Sequence, residues 1–329
     1  MPKNILITGG AGFIGKSLIK YLLKEGNINK IICVDNFISS DRLDFENFIK
    51  KYDTDSTVIL YDIDIIKFNL MDSLLNDNIK IIDEIYHLAS LASPIFYKKY
   101  PIETMDVGYI GTKIMLEISK IFNSKLLFSS TSEVYGDAKE TPQNENYYGN
   151  VNSFGERSSY DESKRIAEAL CFTYIKEYNL DIKIARIFNT YGEHMMLNDG
   201  RIITEVIKNL MNDTTLTVFG DGEQTRSCCY VKDTVKMLVK LMGSNCNIPI
   251  NIGKDEEFTI NETIDIIEKV YQEHFDKECK LKKEYIKLTQ DDPLKRNPCL
   301  KRNKEILGEI KYTSFEEGIL NTIKYFKLQ

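Results

Sequence analysis

A tyrosine and a lysine stand four residues apart at Tyr160 and Lys164. On a helix that spacing puts them on one face, a turn apart, and the pair has a use in proton chemistry. A free phenol ionises near pKa ~10, too high for a base at neutral pH, but neighbouring positive charge favours the phenolate. Such a tyrosine can take the proton of a hydroxyl whose carbon gives up hydride. Tyr and Lys at this spacing most often mark only a solvated helix face, so the neighbouring residues decide. A strand-like run at 126–129 leads into Ser130-Thr131-Ser132-Glu133. Open α/β folds bind ligands beyond the C-terminal ends of their strands. Thr131 and Ser132 are therefore placed to hydrogen-bond the reacting hydroxyl, with Glu133 beside them.

Hydride needs an acceptor, and the first residues provide a place for one. Gly9, Gly12 and Gly15 directly follow the apolar run 5–7 and open a helical pattern in which Phe13, Ile14, Leu18, Ile19 and Leu22 are apolar. Small residues let the backbone approach a pyrophosphate, and a helix N-terminus presents free N–H groups with a partial positive charge. Strand, glycines and helix in that order indicate a dinucleotide. Asp35 ends the next strand about 20 residues later, where a carboxylate accepts from both ribose hydroxyls and repels a 2′-phosphate. NAD is thus expected rather than NADP. Its expected site takes in Gly9, Gly12, Phe13, Ile14, Gly15, Asp35, Asn36, Ser39 and Ser40, with Asp62 and Ile63 at the adenine edge.

The elements that must position these groups are short β-branched runs at 4–8, 30–34, 57–61, 84–89, 125–129 and 182–187, alternating with helical stretches. Near-continuous apolar strands separated by crossover helices imply a parallel sheet covered on both faces. The expected fold is α/β, a Rossmann-type doubly wound parallel sheet with a smaller interleaved C-terminal substrate domain. Residues 1–190 would form the NAD-binding part, with later returns near 229–255, and residues 191–329 mainly the substrate part. Residues 43–55 are polar and aromatic without a clear period, and are open between an insertion and a ragged helix. Beyond Thr190, turns give way to a helix from Asp233, a strand at 249–252 and a helix from Ile260.

Composition narrows the function classes. A formal charge of −6 offers no positive field for a polyanion, so nucleic acid is not an expected partner. Apolar stretches are strand-sized, and residues 1–10 run into a strand and a glycine turn rather than a signal peptide. A soluble cytoplasmic protein with no membrane partner is expected. The 7 cysteines show no Cys-x-x-Cys spacing, which suits a reducing compartment. The 3 histidines lie far apart in sequence, and no metal is expected.

Together, the glycine series, His87-Leu88-Ala89-Ser90, Thr131-Ser132-Glu133-Val134-Tyr135-Gly136, and Tyr160 with Lys164 resemble the extended short-chain dehydrogenases acting on nucleotide sugars. Further runs look like the UDP-glucuronate decarboxylases, also called UDP-xylose synthases. These are Pro142-Gln143 through Tyr148-Gly149-Asn150-Val151-Asn152, Tyr160-Asp161-Glu162 with Lys164-Arg165, Arg186-Ile187-Phe188-Asn189-Thr190, Asn198-Asp199-Gly200-Arg201, Gln224-Thr225-Arg226, and Asp291-Asp292-Pro293 with Lys295-Arg296. Nearly the entire chain is covered. The resemblance implies that Leu88, Ser90, Thr131, Tyr160 and Lys164 line the NAD site. It implies that Pro94, Asn189, Arg201, Arg226 and Tyr230 approach the UDP-sugar, and that Arg296 lies near the sugar carboxylate. Glu133 discriminates: similar epimerases carry a small apolar residue there, and related 4,6-dehydratases an Asp-Glu pair where this chain has Ser132-Glu133. Two stretches depart from the family. Leu91 replaces a Pro, and Met105-Asp106-Val107-Gly108 replaces Leu-Lys-Thr-Asn, setting an acid where a cation would favour an anionic substrate.

The activity so implied converts UDP-glucuronate to UDP-xylose through oxidation at C4 by bound NAD, loss of carbon dioxide from the 4-keto sugar, and return of hydride. Its catalytic set would be Thr131, Ser132, Glu133, Tyr160, Lys164 and Arg296. A UDP-sugar 4-epimerase or 4,6-dehydratase, which releases no carbon dioxide, is the enzyme alternative. A catalytically silent NAD-binding scaffold or sensor is the other, against which intact Tyr160, Lys164 and Glu133 count. Past Lys164, Ile166, Leu170, Cys171, Tyr174, Ile175 and Tyr178 make a broad apolar stripe. Part is expected to cover the sheet, and by resemblance part forms a homodimer four-helix bundle. Cys228-Cys229 is read as a buried strand pair with no redox role.

Overall fold

Seven parallel strands form the central sheet of the computed structural model, which describes residues 1–287 and 295–328. They are β1 (Lys3–Thr8), β2 (Ile28–Asp35), β3 (Val58–Asp62), β4 (Glu84–His87), β5 (Lys125–Thr131), β6 (Ile182–Ile187) and an edge strand, Pro249–Ile252. Their order across the sheet is edge strand, β6, β5, β4, β1, β2, β3. Side chains alternate along a strand between the two faces, and the burial pattern follows. Ile5, Ile7, Ile31 and Cys33 belong to one apolar cluster, while Leu6, Ile32 and Val34 belong to another. Both faces are covered, which is why these strands read as unbroken apolar runs. The order reverses between β1 and β4, and a ligand crevice opens at that switch point, beyond the strand C-termini.

Residues 43–55 resolve as a helix, Arg42–Tyr52, capped by Asp41 accepting from the Asp44 amide. Only Phe45 and Phe48 of that helix are buried; two inward rings leave too narrow a stripe for a clear period. The segment Pro101–Asp106 continues through a π-helical turn, Val107–Gly111, into the helix Thr112–Phe122. It packs on the long helix Ser158–Tyr178. Gly108 faces Ser163 of that helix, and an added Cβ would sit 2.5 Å from the Ser163 Cβ.

Past Thr190 come the helices Ile202–Asn212, Val231–Met242, Ile260–His274 and Phe315–Lys327. The third carries a reciprocal cap between Thr259 and Glu262. A small sheet sets Thr225–Ser227 between antiparallel Glu257–Thr259 and parallel Lys295–Arg296, with Arg296 opposite Arg226. Two arginines far apart in sequence thus stand side by side on neighbouring strands. Cys229 is fully buried on a two-residue strand, whereas Cys228 precedes that strand and is half-buried. The expected buried pair is therefore one strand residue and its neighbour. Among the described residues no helix is long and apolar enough to cross a membrane. The Asp291-Asp292-Pro293 run lies outside the described residues.

Candidate active site

A cleft of about 1630 Å³ crosses the C-terminal edge of the sheet, and its walls hold the glycine turn, the Tyr160 helix and the small sheet. At the first end, Gly9 has φ +70°, and a Cβ there would meet the Ala89 amide at 2.8 Å. A Cβ on Gly15 would come within 2.3 Å of the Gly9 carbonyl. Only glycine permits the turn and the helix behind it to close this tightly. The helix Phe13–Glu25 starts at Gly12 with no side-chain cap, which leaves its end to an anionic ligand.

Asp35 ties this end together. Its Oδ2 accepts from the Ala11 amide at 3.0 Å, and its Oδ1 accepts from the Phe37 amide and the Ser40 hydroxyl, each at 3.0 Å. Burial pushes its carboxyl up, and these hydrogen bonds oppose that. Asp41, Asp44 and Asp62 line the same end; Asp62 pairs with Arg42 and Asp44 with the buried Lys16. A glycine cradle, an uncapped helix start and a carboxylate at the strand end fit a dinucleotide. The Asp35 carboxylate disfavours an extra 2′-phosphate.

The middle of the cleft holds the hydroxyl chemistry. Thr131 ends β5 and caps the short turn Ser132–Tyr135, its hydroxyl accepting from the Glu133 amide at 3.2 Å. Tyr160 is 6% exposed and stacks on Tyr97 with ring centroids 5.3 Å apart. Burial pushes the phenol up and Glu133 adds to this, while a hydrogen bond with Thr131 works the other way. Lys164, buried one turn on, donates to the Ser129 carbonyl at 2.7 Å, and its ammonium lies 5.9 Å from the Tyr160 ring centroid. Burial pulls that ammonium down to about 7. Positive charge arriving on a ligand would therefore bear strongly on whether the phenol ionises. His87 is held between the hydroxyls of Thr8, at 2.7 Å, and Thr112, at 3.2 Å; burial pulls it down to about 3, so it stays neutral.

At the far end Glu133 meets two arginines. Arg296 donates to both of its oxygens, Nε to Oε1 at 3.2 Å and Nη2 to Oε2 at 2.9 Å, and to the Gly136 carbonyl at 2.6 Å. Arg157 pairs with the same carboxylate. Burial alone would raise Glu133, but the two guanidiniums overcome it and hold the carboxyl down to about 2.

Comparison with known proteins gives this arrangement a family. Residues 5–253 match the model of the NAD dependent epimerase/dehydratase family. The chain belongs to that family. UDP-glucuronic acid decarboxylase 1 of Danio rerio is 40% identical over 98% of this chain and 72% of its own length. UDP-glucuronic acid decarboxylase 3 of Arabidopsis thaliana is 39% identical over 99% and 90%. Among solved structures, UDP-glucuronic acid 4-epimerase from Bacillus cereus, in complex with UDP-glucuronic acid and NAD, superimposes with a TM-score of 0.85 at 27% identity, covering 99% of each chain. NAD is the cofactor of this epimerase/dehydratase family member.

Every residue singled out from the sequence for cofactor, catalysis or substrate lines the cleft except Tyr230. Tyr230 is 2% exposed, its ring packs beside Tyr191, and its hydroxyl donates to Glu193 at 2.6 Å. That ring belongs to the core, and Cys228 is the nearby residue that reaches the cleft. Arg201 is forked onto Asp199, with Nη2 to Oδ2 at 2.9 Å. Asp106 and Glu103 also line the wall, so the substitution in the 105–108 stretch does face the site. The sequence reading missed Tyr97, Arg157 and Asp161. Asp161 stands inside the Tyr160–Lys164 run but takes no role from it, and all three matter through what tertiary structure sets beside them.

Proposed function

We propose that this protein decarboxylates UDP-glucuronate to UDP-xylose, using NAD that is reduced and reoxidised within one turnover. The observation that carries the reading is the Arg296–Glu133–Arg157 cluster at the end of a cleft that also holds Tyr160, Lys164 and Thr131, in a chain alike over nearly its full length to UDP-glucuronic acid decarboxylases. Bound NAD supplies the hydride acceptor for oxidation at C4 and the donor for the final reduction.

The chain's own residues do the rest. Tyr160 takes the O4 proton, Lys164 favours the phenolate electrostatically, and Thr131 and Ser132 orient the hydroxyl. The resulting ketone lies β to the C6 carboxylate and accepts the electron pair released when carbon dioxide departs. Arg296, with its planar fork, orients that carboxylate, and Glu133 is the carboxylate with which the substrate must compete for it. Arg201, Arg226, Asn189 and Pro94 hold the UDP-sugar. In this reading residues 1–190 with 229–255 bind NAD, and the later residues mainly bind substrate.

The protein also acts as a homodimer in this reading. Ile102, Tyr109, Ile121, Ile166, Phe172 and Tyr178 are exposed apolar side chains on the two packed helical runs, a surface suited to a four-helix contact. The free cysteines support a cytoplasmic setting.

Purified protein given UDP-glucuronate should release carbon dioxide and yield a nucleotide pentose without stoichiometric NADH. A product of unchanged mass would indicate 4-epimerisation instead, the alternative that the Bacillus cereus neighbour favours.

A further inference from the structure

Behind the far end of the cleft lies a second chamber of about 270 Å³, lined in part by Gly136, Asn150, Val151, Asn152, Gly155 and Asp161. Glu133, Arg157 and Arg296 line both spaces and form the wall between them. Asp161 lines the chamber but not the main cleft. It is 6% exposed, its Oδ1 is buried without a hydrogen-bond partner, and its Oδ2 lies 3.8 Å from the Arg157 Nε. A buried carboxyl left so poorly paired is costly as an anion. Burial and the Glu133 charge push it up to about 7 against the pull of Arg157 and Arg296. It therefore exchanges a proton near neutrality.

The proposed reaction needs a proton from outside. When the C5–C6 bond breaks, its electron pair passes into the C4 ketone as an enolate and carbon dioxide leaves. The enolate pair then forms a C5–H bond with a proton. The proton that Tyr160 removed from O4 returns there when hydride comes back to C4, so it cannot serve C5. Each turnover thus takes one proton from solvent.

We propose that the second chamber is the proton inlet for this step, and that Asp161 relays the proton from solvent through the Glu133 wall to C5. Water aligned by ionised Glu133 spans the last gap, and Asp161 is reprotonated from the chamber. Asp161 acts through the wall and touches no reacting atom, so it is a relay and positioning residue. The charged groups around it are Glu133, Arg157 and Arg296 on the wall, Glu162 beside it and Asp137 in the chamber lining.

The proposal rests on the decarboxylase reading, and single-turnover experiments separate the two. NADH absorbance and carbon dioxide are followed together for wild type, Asp161→Asn, Asp161→Glu and Val151→Phe, the last filling the chamber without removing a charge. Asp161→Asn and Val151→Phe should release carbon dioxide at the wild-type rate yet reoxidise NADH about a hundredfold more slowly, the lower end of the range for a positioned proton donor. Both should show an enlarged solvent deuterium effect on that step. Asp161→Glu should recover much of the rate. In wild type the reoxidation step should slow as pH rises through about 7, and in Asp161→Asn that limb should vanish. If wild type releases no carbon dioxide, the decarboxylase reading fails whatever Asp161 does. If it does release carbon dioxide, wild-type reoxidation in both variants, or slowing in only one, overturns the inlet. Should Asp161→Asn not fold, Val151→Phe and the wild-type pH limb decide.

Discussion

Arg296 grips both oxygens of Glu133 from 163 positions away in sequence, with its Nη1 anchored on the Gly136 carbonyl. A surface arginine in a charged loop would be exposed, whereas this one is 2% exposed. Glu133 thereby holds, in the free protein, the fork that the sugar carboxylate is proposed to use. Arg296→Ala should cut carbon dioxide release about ten- to a hundredfold, equivalent to roughly 1.5–3 kcal/mol of charge-assisted hydrogen bonding. NAD affinity should stay unchanged, because the glycine turn and Asp35 are untouched. Single-turnover measurement of NADH and carbon dioxide checks both halves. Wild-type decarboxylation would shift the carboxylate to Arg201 or Arg226.

Tyr160→Phe removes one oxygen and keeps the ring stacked on Tyr97. NAD and UDP-sugar should therefore bind nearly as in wild type while turnover nearly vanishes. Titration calorimetry together with a steady-state assay tests this; substantial residual activity would move the base to another group reached through Thr131.

Much of this site was legible because it is written locally. Gly9, Gly12 and Gly15 sit at fixed spacing after one strand, Tyr160 and Lys164 lie one helical turn apart, and Thr131 to Glu133 follow directly from β5. The strands were legible because both sheet faces are buried, which makes apolar runs nearly continuous. Arg157 and Asp161 were not legible, since their meaning arises from a fold that sets them against Glu133 and Arg296. Arg296 itself came only through family likeness, because no spacing links it to Glu133. Tyr230 also came only through family likeness, and here its ring packs into the core beside Tyr191 and lines no part of the cleft.

Asp35 should make NAD bind far more tightly than NADP, with Asp41, Asp44 and Asp62 lining the same end of the cleft. A 2′-phosphate there would meet the Asp35 carboxylate, while the neighbouring cations Lys16 and Arg42 are already paired with Asp44 and Asp62. Asp35→Asn should narrow the preference by weakening NAD and relieving the repulsion. Fluorescence titration of apo-protein with each cofactor measures the ratio, and equal affinities in wild type would refute the role of Asp35.

The buried carboxyls also predict how stability responds to pH. Asp161 is raised from 3.8 to about 7 on folding, so between those values the folded state holds more protons than the unfolded one. Stability from this group therefore falls as pH rises through that window. Replacing it by Asn removes the dependence. The melting temperature of Asp161→Asn relative to wild type should rise between pH 4 and pH 8. Glu133 has the opposite sign: it is lowered from 4.5 to about 2, and its contribution is present above 4.5 and lost as pH falls toward 2. A flat difference for Asp161→Asn across the range would mean that its carboxyl is solvated after all.

The helix contact at Gly108 makes a prediction about why this chain departs from its family. An added Cβ at 108 would lie 2.5 Å from the Ser163 Cβ and 2.9 Å from its Oγ, and that hydroxyl is already committed to the Tyr160 carbonyl at 2.7 Å. The asparagine expected at this position therefore has no room while Ser163 stands opposite, on the same helix as Tyr160 and Lys164. Gly108→Asn alone should overpack the contact, costing about 1–3 kcal/mol, and should disturb catalysis by shifting the helix that carries the base. Ser163→Gly removes the two nearest atoms and leaves the residue-163 carbonyl 3.2 Å away, so Gly108→Asn with Ser163→Gly should recover part of the lost stability even though helical glycine is itself unfavourable by roughly 1 kcal/mol. The four proteins of this cycle, compared by thermal denaturation and by turnover, give the coupling directly. A double variant no better than the sum of its single changes would mean that the two helices yield at this point, and that the missing asparagine needs another explanation.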